Sequence, residues 1–123
     1  MKPGCGTMPK FGRSSICQLH SSEGISRQPG PELDLGPDLP GYKLRATTVT
    51  FAPGAVRALH DHRKNPEITY TLQGKLTEFS KAGALLEFGP GAFRANGRDV
   101  EHWVENRGPE KLVFINVQVV KAQ

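Results

Sequence analysis

The sequence predicts an all-β fold, a small antiparallel barrel or sandwich, and three observations support this prediction. From Gly41 onward the chain is a series of short runs rich in Val, Ile, Thr, Tyr and Phe, the residues enriched in strands. Gly, Pro and Asn turn signals separate these runs about every eight to ten residues. No window of about 11 residues shows the apolar periodicity of a helix. Because so many antiparallel strands would leave exposed edges, we expect the sheet to close on itself.

The predicted strands follow one another along the chain, and each ends at a turn signal. In order, they span residues 43–51, 56–62, 68–73, 75–80, 84–88, 92–95, 101–106 and 112–121. Pro53-Gly54 ends the first strand, and Lys81-Ala82-Gly83 forms a hairpin turn between the fourth and the fifth. These strands place the barrel domain at residues 41–123.

Residues 1–40 have a different composition, because they hold six of the 10 prolines and six of the 14 glycines. Their large apolar side chains are too thinly spread to offset the entropy of ordering the segment alone. We therefore expect a Gly/Pro-rich N-terminal segment that is partly flexible or an edge strand. Its best candidate for an ordered piece is the run SICQL at residues 15–19, which can extend a sheet edge.

Charge and targeting signals exclude several classes of protein. The net charge is +4, but the basic residues are scattered and only Arg63-Lys64 are adjacent, so no nucleic-acid footprint is predicted. The N-terminus lacks the apolar stretch of a secretory signal, and no window approaches a membrane span of about 20 apolar residues. A cytoplasmic protein that binds neither nucleic acid nor membrane is expected. Cys5 and Cys17 are then expected to be free thiols.

Three of the four histidines lie within the predicted strands and form a candidate metal site. His60 and His62 are separated by one residue, so their side chains project from the same face of one strand. Glu67 begins the next strand and reaches the two imidazoles if the two strands pair antiparallel. His102 adds a third imidazole from a later strand. Three nitrogens and one carboxylate suit a divalent transition metal with open positions, whereas the alternative is ordinary core or surface histidines.

The spacing of these residues resembles the two sequence signatures of the cupin superfamily, in particular its small single-domain (type-2) members. The first signature is matched by Gly54-x5-His60-x-His62-x4-Glu67-x6-Gly74. The second is matched less fully, by Gly91-x5-Gly97-x-Asp99-x2-His102-x3-Asn106. The family usually has Pro and Gly where this chain has Gly97 and Asp99, so the turn before His102 is expected to differ in shape. The resemblance covers about residues 41–121.

The resemblance implies a conical β-barrel of the cupin (jelly-roll) type with one metal ion at its centre. His60, His62, Glu67 and His102 would bind Fe, Mn, Ni, Cu, Zn or Co, and the sequence does not choose among these metals. The family includes dioxygenases, isomerases and lyases, so the leading hypothesis is a metal-dependent enzyme acting on a small oxygenated organic molecule. Glu67 would also act as the catalytic acid or base. The alternative is a non-catalytic module that binds or senses a small ligand or the metal.

Strand parity identifies further candidates for substrate binding. Thr69 and Thr71 are expected to face inward with Glu67. Phe93 or Arg94 lies on a strand opposite the ligands, and an inward Arg94 would favour an anionic substrate. Outward-facing Tyr70, Trp103 and Phe114 are costly to leave in water, so a homodimer that covers them is also expected. Their outward orientation is inferred from the sequence alone.

Overall fold

The computed structural model describes residues 23–122, which form nine β-strands and no helix. The strands are β1 (Ile25–Asp34), β2 (Tyr42–Phe51), β3 (Val56–Asp61), β4 (Glu67–Gln73), β5 (Leu76–Ser80), β6 (Leu85–Phe88), β7 (Phe93–Asn96), β8 (Glu101–Glu105) and β9 (Leu112–Lys121). Across this part of the chain, no helix is long and apolar enough to cross a membrane. The predicted strand at residues 15–19 and both cysteines lie outside the described residues.

The strands form two antiparallel sheets, which confirms the all-β prediction. One sheet has five strands in the order β1-β2-β9-β4-β7, and the other has four in the order β3-β8-β5-β6. Among residues 23–122 no β-ladder joins one sheet to the other, so the expected closed barrel is instead a pair of packed sheets. Strands from both sheets supply the apolar core, so the two sheets pack face to face.

The apolar core lies between β2 and β9 of the five-stranded sheet and β5 and β8 of the other. Its buried residues are Val49, Phe51, Ala55, Leu76, Val104, Leu112 and Phe114. The prediction that Phe114 faces outward is therefore wrong. Phe114 pairs with Val49 and Thr71 on the neighbouring strands, and its ring lies 5.8 Å from that of Phe51. Because directly paired residues share a face, the buried neighbours fix Phe114 inside.

Trp103 alternates with the buried His102 and Val104 and faces the other side of β8, as strand parity predicts. Its ring stacks on Phe79 at 4.9 Å. Its Nε1 donates a hydrogen bond to Glu105 at 2.7 Å. Trp103 is therefore half-buried by packing within its own sheet.

Strand β1 forms the edge of the five-stranded sheet within the Gly/Pro-rich segment. It pairs with β2 on either side of a register shift between Pro29 and Glu32. Proline lacks a backbone donor and is tolerated at sheet edges and bulges, which explains how Pro29 and Pro31 fit here. The division of the chain into segments at residue 40 stays a prediction.

Two residues of the sequence signatures have structural roles at one end of the sheets. Gly74 has φ +78°, and a Cβ there would overlap the Lys111 carbonyl oxygen, so only glycine fits between β4 and β5. The fully buried Asn106 donates hydrogen bonds to the carbonyls of Phe51 (3.0 Å) and Glu110 (2.9 Å). These contacts join the end of β2 and the loop before β9 to the residue that follows β8.

The outer face of β4 and β7 carries an exposed apolar strip. Phe93 is 69% exposed, Ile68 52% and Leu72 47%, and Tyr70 contacts the Phe93 ring at 4.5 Å. The predicted homodimer stays a prediction, and this strip is the surface that tests it. We expect light scattering at high micromolar concentration to show a dimer, and Phe93→Ser with Ile68→Ser to shift it to a monomer. A monomeric parent chain would contradict the prediction.

Candidate metal centre

The three histidines of the sequence signatures meet between the two sheets. His60 on β3 pairs directly with His102 on β8, and His62 follows the end of β3. The three ring centroids lie 4.7 to 5.1 Å from one another. One ligand atom from each ring falls within 4.8 Å of the others. His62 and His102 are buried and His60 is half-buried.

The Nδ1 atom of each imidazole is directed at an oxygen of the protein. In His60 it lies 2.6 Å from the Ala58 carbonyl, and in His62 it lies 3.1 Å from the Asn65 carbonyl. Carbonyl oxygens only accept, so both Nδ1 atoms carry the proton and donate. The His102 Nδ1 lies 3.2 Å from a carboxylate oxygen of Glu78, although not in line with it. His60 and His62 therefore present an unprotonated Nε2, and the carboxylate beside Nδ1 favours the same tautomer in His102.

The Nε2 atoms of His62 and His102 lie only 3.1 Å apart. With the proton on Nδ1 in both rings, the two Nε2 lone pairs would face and repel each other. A shared cation removes this repulsion. Zinc and similar ions bind imidazole nitrogen at about 2.0–2.1 Å, and 3.1 Å suits two nitrogens in adjacent positions around one such ion. The donor set therefore fits a divalent transition metal.

His60 is held in its neutral form. Desolvation by burial lowers its pKa to about 3, an effect that the hydrogen bond to Ala58 opposes and the charge of Arg57 reinforces. A neutral imidazole is the form that ligates a metal. At neutral pH the His60 Nε2 is therefore available to an ion without competition from a proton.

Glu67 reaches the histidines from the opposite sheet, which corrects the expectation that its strand pairs with β3. Strand β4 belongs to the five-stranded sheet and pairs with β7 and β9. The two sheets face each other, so the Glu67 carboxylate approaches the imidazoles across the space between them. Its Oε2 lies 3.6 Å from the His62 Nε2, and its side chain is largely buried.

Three side-chain amides orient the Glu67 carboxylate. Asn96 donates to Oε2 at 2.8 Å, while Asn116 and Gln118 donate to Oε1, the latter at 3.3 Å. Asn96 and Gln118 pair with Glu67 on its two flanking strands, so the register of the sheet sets these contacts. Sequence reasoning missed these amides. Asn116 and Gln118 share a face of β9 with Phe114, so the incorrect outward placement of Phe114 concealed them.

A buried carboxylate behind His102 was also missed. Glu78 on β5 is 1% exposed and contacts His102 on one side and Arg94 on the other, where the Nη2–Oε2 distance is 2.5 Å. Burial alone would raise the pKa of Glu78, but the contacts with His102 and Arg94 outweigh it and hold the pKa below 4.5. A carboxylate behind a ligating imidazole fixes the ring and raises its basicity.

A cavity of about 580 Å³ opens above the three histidines and is lined by both sheets. Thr69 lines it as predicted from parity, whereas Thr71 is buried but is not part of the lining. Arg94 faces the cavity and Phe93 does not, because Phe93 lies on the outer face of β7. The roles of Thr69, Thr71, Phe93 and Arg94 toward a substrate stay predictions.

The turn before His102 differs in sequence from the usual signature, but it still forms a hydrogen-bonded turn. The Val100 amide donates to the Gly97 carbonyl at 3.1 Å. Strand β8 then begins at Glu101, and His102 lies opposite His60. Gly97 and Asp99 therefore change the composition of the turn without displacing the histidine.

Two facing antiparallel sheets with clustered histidines between them define a class of small β-proteins suited to bind a metal ion. A sequence model described as "Cupin domain" matches residues 47–118. The chain therefore belongs to the cupin family. No curated protein matches the sequence in a direct search.

Solved structures support the same fold. KdgF from Halomonas sp. is 25% identical, with a TM-score of 0.60, over 77% of this chain and 78% of that one. The cupin domain of an XRE family transcriptional regulator from Enterobacter cloacae is 16% identical (TM-score 0.59), over 82% of this chain and all of that one. A protein proposed as a sugar phosphate isomerase, from Acidithiobacillus ferrooxidans, is 23% identical (TM-score 0.54), over 62% and 49%. One fold thus occurs in both regulators and candidate enzymes.

Proposed function

We propose that this cupin binds one divalent transition metal ion through His60, His62, Glu67 and His102. The observation that carries the proposal is the arrangement of the imidazole nitrogens. Each Nδ1 faces an oxygen, and the Nε2 atoms of His62 and His102 meet at 3.1 Å with their lone pairs toward each other. The Glu67 carboxylate, oriented by three amides, supplies the nearby negative charge.

We further propose that the site is catalytic and acts on a small oxygenated organic molecule. When bound, the metal would supply Lewis acidity or activation of dioxygen, as in dioxygenase, isomerase and lyase types of cupin. The cavity of about 580 Å³ falls in the range of small-molecule sites. Thr69 lines it beside Glu67, and a carboxylate held at the reacting centre can accept or donate a proton.

The metal proposal is tested by elemental analysis of the protein as purified. We expect about one equivalent of a transition metal per chain, a proportion set by a single four-residue donor set. Optical and electron paramagnetic resonance spectra under air and under nitrogen then separate a redox metal that responds to dioxygen from a Lewis acid. A chain that takes up no transition metal when loaded with excess Fe, Mn, Ni, Cu, Zn or Co would overturn the proposal.

Glu67→Gln tests the catalytic role. A Gln side chain turns an NH₂ group toward the donor amides of Asn96 or Asn116, so we expect metal affinity to fall about 10- to 100-fold. At saturating metal, we expect turnover of a substrate to fall further than binding of a bidentate probe such as a keto acid, a diketone or a catechol. Isothermal titration calorimetry measures the probe. Wild-type turnover by Glu67→Gln would contradict a catalytic role for Glu67, and no probe binding by the metal-loaded chain would favour the non-catalytic binding module instead.

A further inference from the structure

Three arginines from three strands line the cavity on the side of β1, β2 and β3. They are Arg27, Arg45 and Arg57. Arg27 and Arg57 are exposed at the mouth, and Arg45 is half-buried. Among residues 23–122, the ion pairs of the structure include none of the three. In the described part of the chain, no carboxylate therefore forms an ion pair with these guanidinium groups, although Arg45 donates to Gln118.

The other charged residues in or beside the cavity are already engaged. Glu78 is held by Arg94, and Asp61 contacts Arg63 outside the cavity at 3.4 Å. Glu32 pairs with Arg45 in the β1–β2 ladder, but its carboxylate accepts from Lys43 at 2.8 Å. Glu67 faces the histidines. The cavity therefore has an excess of positive charge, which a divalent ion beside Glu67 would increase.

Hydrogen bonds link Arg45 to the candidate metal centre. Arg45 donates to the Gln118 oxygen at 2.7 Å, and Gln118 donates to Glu67, so a single hydrogen-bonded residue separates Arg45 from the carboxylate. The Arg45 Nε is buried without a partner in the described part of the chain. A buried donor with no acceptor costs free energy unless a ligand satisfies it.

Arg57 on β3 carries a charge that interacts with those of Arg27 and Glu67. Partial burial of its guanidinium is the largest cause that lowers the pKa of Arg57 from the ordinary arginine value, and the charge of Arg27 adds to this effect while Glu67 opposes it. The charge of Arg57 also contributes to the low pKa of His60. Two like charges held within interaction range on strands of opposite sheets are costly without an anion between them. Because arginine stays protonated in proteins, an anion is what relieves this repulsion.

We propose that the cavity binds an organic anion, whose carboxylate or phosphate group lies among Arg27, Arg45 and Arg57 while the rest of the molecule extends toward the histidines. Only the orientation of the rest of the molecule toward the histidines rests on the proposed function. Guanidinium groups bind both carboxylate and phosphate through paired N–H donors, so the two anions share one chemistry here. Arg94, the arginine that the sequence indicated, is instead neutralised by Glu78.

Calorimetric titration of the full chain with succinate and with inorganic phosphate tests this proposal, and succinamide serves as the neutral counterpart of succinate. We expect at least one anion to bind and succinamide not to bind. Arg27→Gln with Arg57→Gln is expected to weaken anion binding about tenfold or more, since it removes charge-assisted hydrogen bonds to the anion. The anion with the lower Kd identifies the group that the arginines prefer.

A control with two other exposed arginines replaced, Arg98→Gln with Arg107→Gln, changes the net charge equally but lies outside the cavity lining. We expect its anion affinity to stay within about twofold of the parent, because exposed charges at a distance are screened by salt. Equal binding by the parent and both variants, or equal binding of succinate and succinamide, would overturn the proposal. So would an absence of binding by both anions.

Metal content measured on the same samples separates the two proposals. If Arg27→Gln with Arg57→Gln keeps its metal and loses the anion, the arginines bind the anion directly and the inference is supported. If the parent chain holds metal but binds neither anion, the inference fails and the metal site stands. If no sample holds metal, the proposed function fails, and the dependence on Arg27 and Arg57 still decides whether the cavity binds anions.

Discussion

Replacing His60, His62 or His102 by Ala is expected to abolish stoichiometric metal binding in each case. Each imidazole supplies one Nε2 to the metal. Its Nδ1 already lies beside a protein oxygen, so no ring has a second nitrogen available to bind the metal. Metal titration followed by elemental analysis measures the occupancy. Thermal unfolding gives a second measurement, because a ligand at 100 times its Kd stabilises the native state by about 2.7 kcal/mol and this gain should disappear.

The fourth histidine provides the control for these variants. His20 lies outside the two sequence signatures, so His20→Ala removes an imidazole without altering the predicted donor set. We expect it to bind metal as the parent does. If two of the three cluster variants kept full occupancy, the assignment of the site to these histidines would be wrong.

Glu78→Ala is expected to lower the free energy of unfolding by about 3–5 kcal/mol. The substitution leaves the Arg94 guanidinium facing a pocket without its carboxylate, and removing one partner of a buried ion pair typically costs this much. It also removes the oxygen behind the His102 Nδ1, so metal affinity should fall about 10- to 100-fold. Urea unfolding and metal titration measure the two effects separately.

A matched surface variant distinguishes a buried pair from an exposed one. Glu87 contacts Lys75 at 3.4 Å, and about half of each side chain is exposed. We expect Glu87→Ala to cost less than about 1 kcal/mol and to leave metal affinity unchanged. Glu78→Gln, which keeps the side-chain volume, should restore part of the stability but not the metal affinity. Parent-like metal affinity in both Glu78 variants would contradict a role for this carboxylate in positioning His102.

The sequence predicted strands β2 to β9 with each boundary within one residue, because turn residues separate runs of β-branched and aromatic side chains. Strand β1 was not identified. Its segment ISRQPGPELD contains two prolines and a glycine and is exposed along most of its length, so neither propensity nor alternation indicates a strand. Only pairing with β2 makes it one, and this tertiary contact is not visible in the local sequence.

The same contrast applies to the site. The spacing of His60, His62 and His102 predicted a cluster, and the three rings are adjacent in the structure. The spacing did not show that Glu67 arrives from the opposite sheet, since sequence separation does not specify which strands pair. Glu78 and the amides around Glu67 belong to no local motif. They become visible only when strand register is known.

The position of β9 in the middle of its sheet determines when the site can form during synthesis. All four strands of the smaller sheet, and both strands that carry the histidine cluster, are complete by Glu105. Strand β9 must then insert between β2 and β4. The residues of β2 and β4 that pair with β9 are far from it along the chain. Such non-local pairing is slow to nucleate. In a nascent chain, Glu67 therefore lacks two of its three amide donors until residues 112–121, which hold Asn116 and Gln118, have left the ribosome.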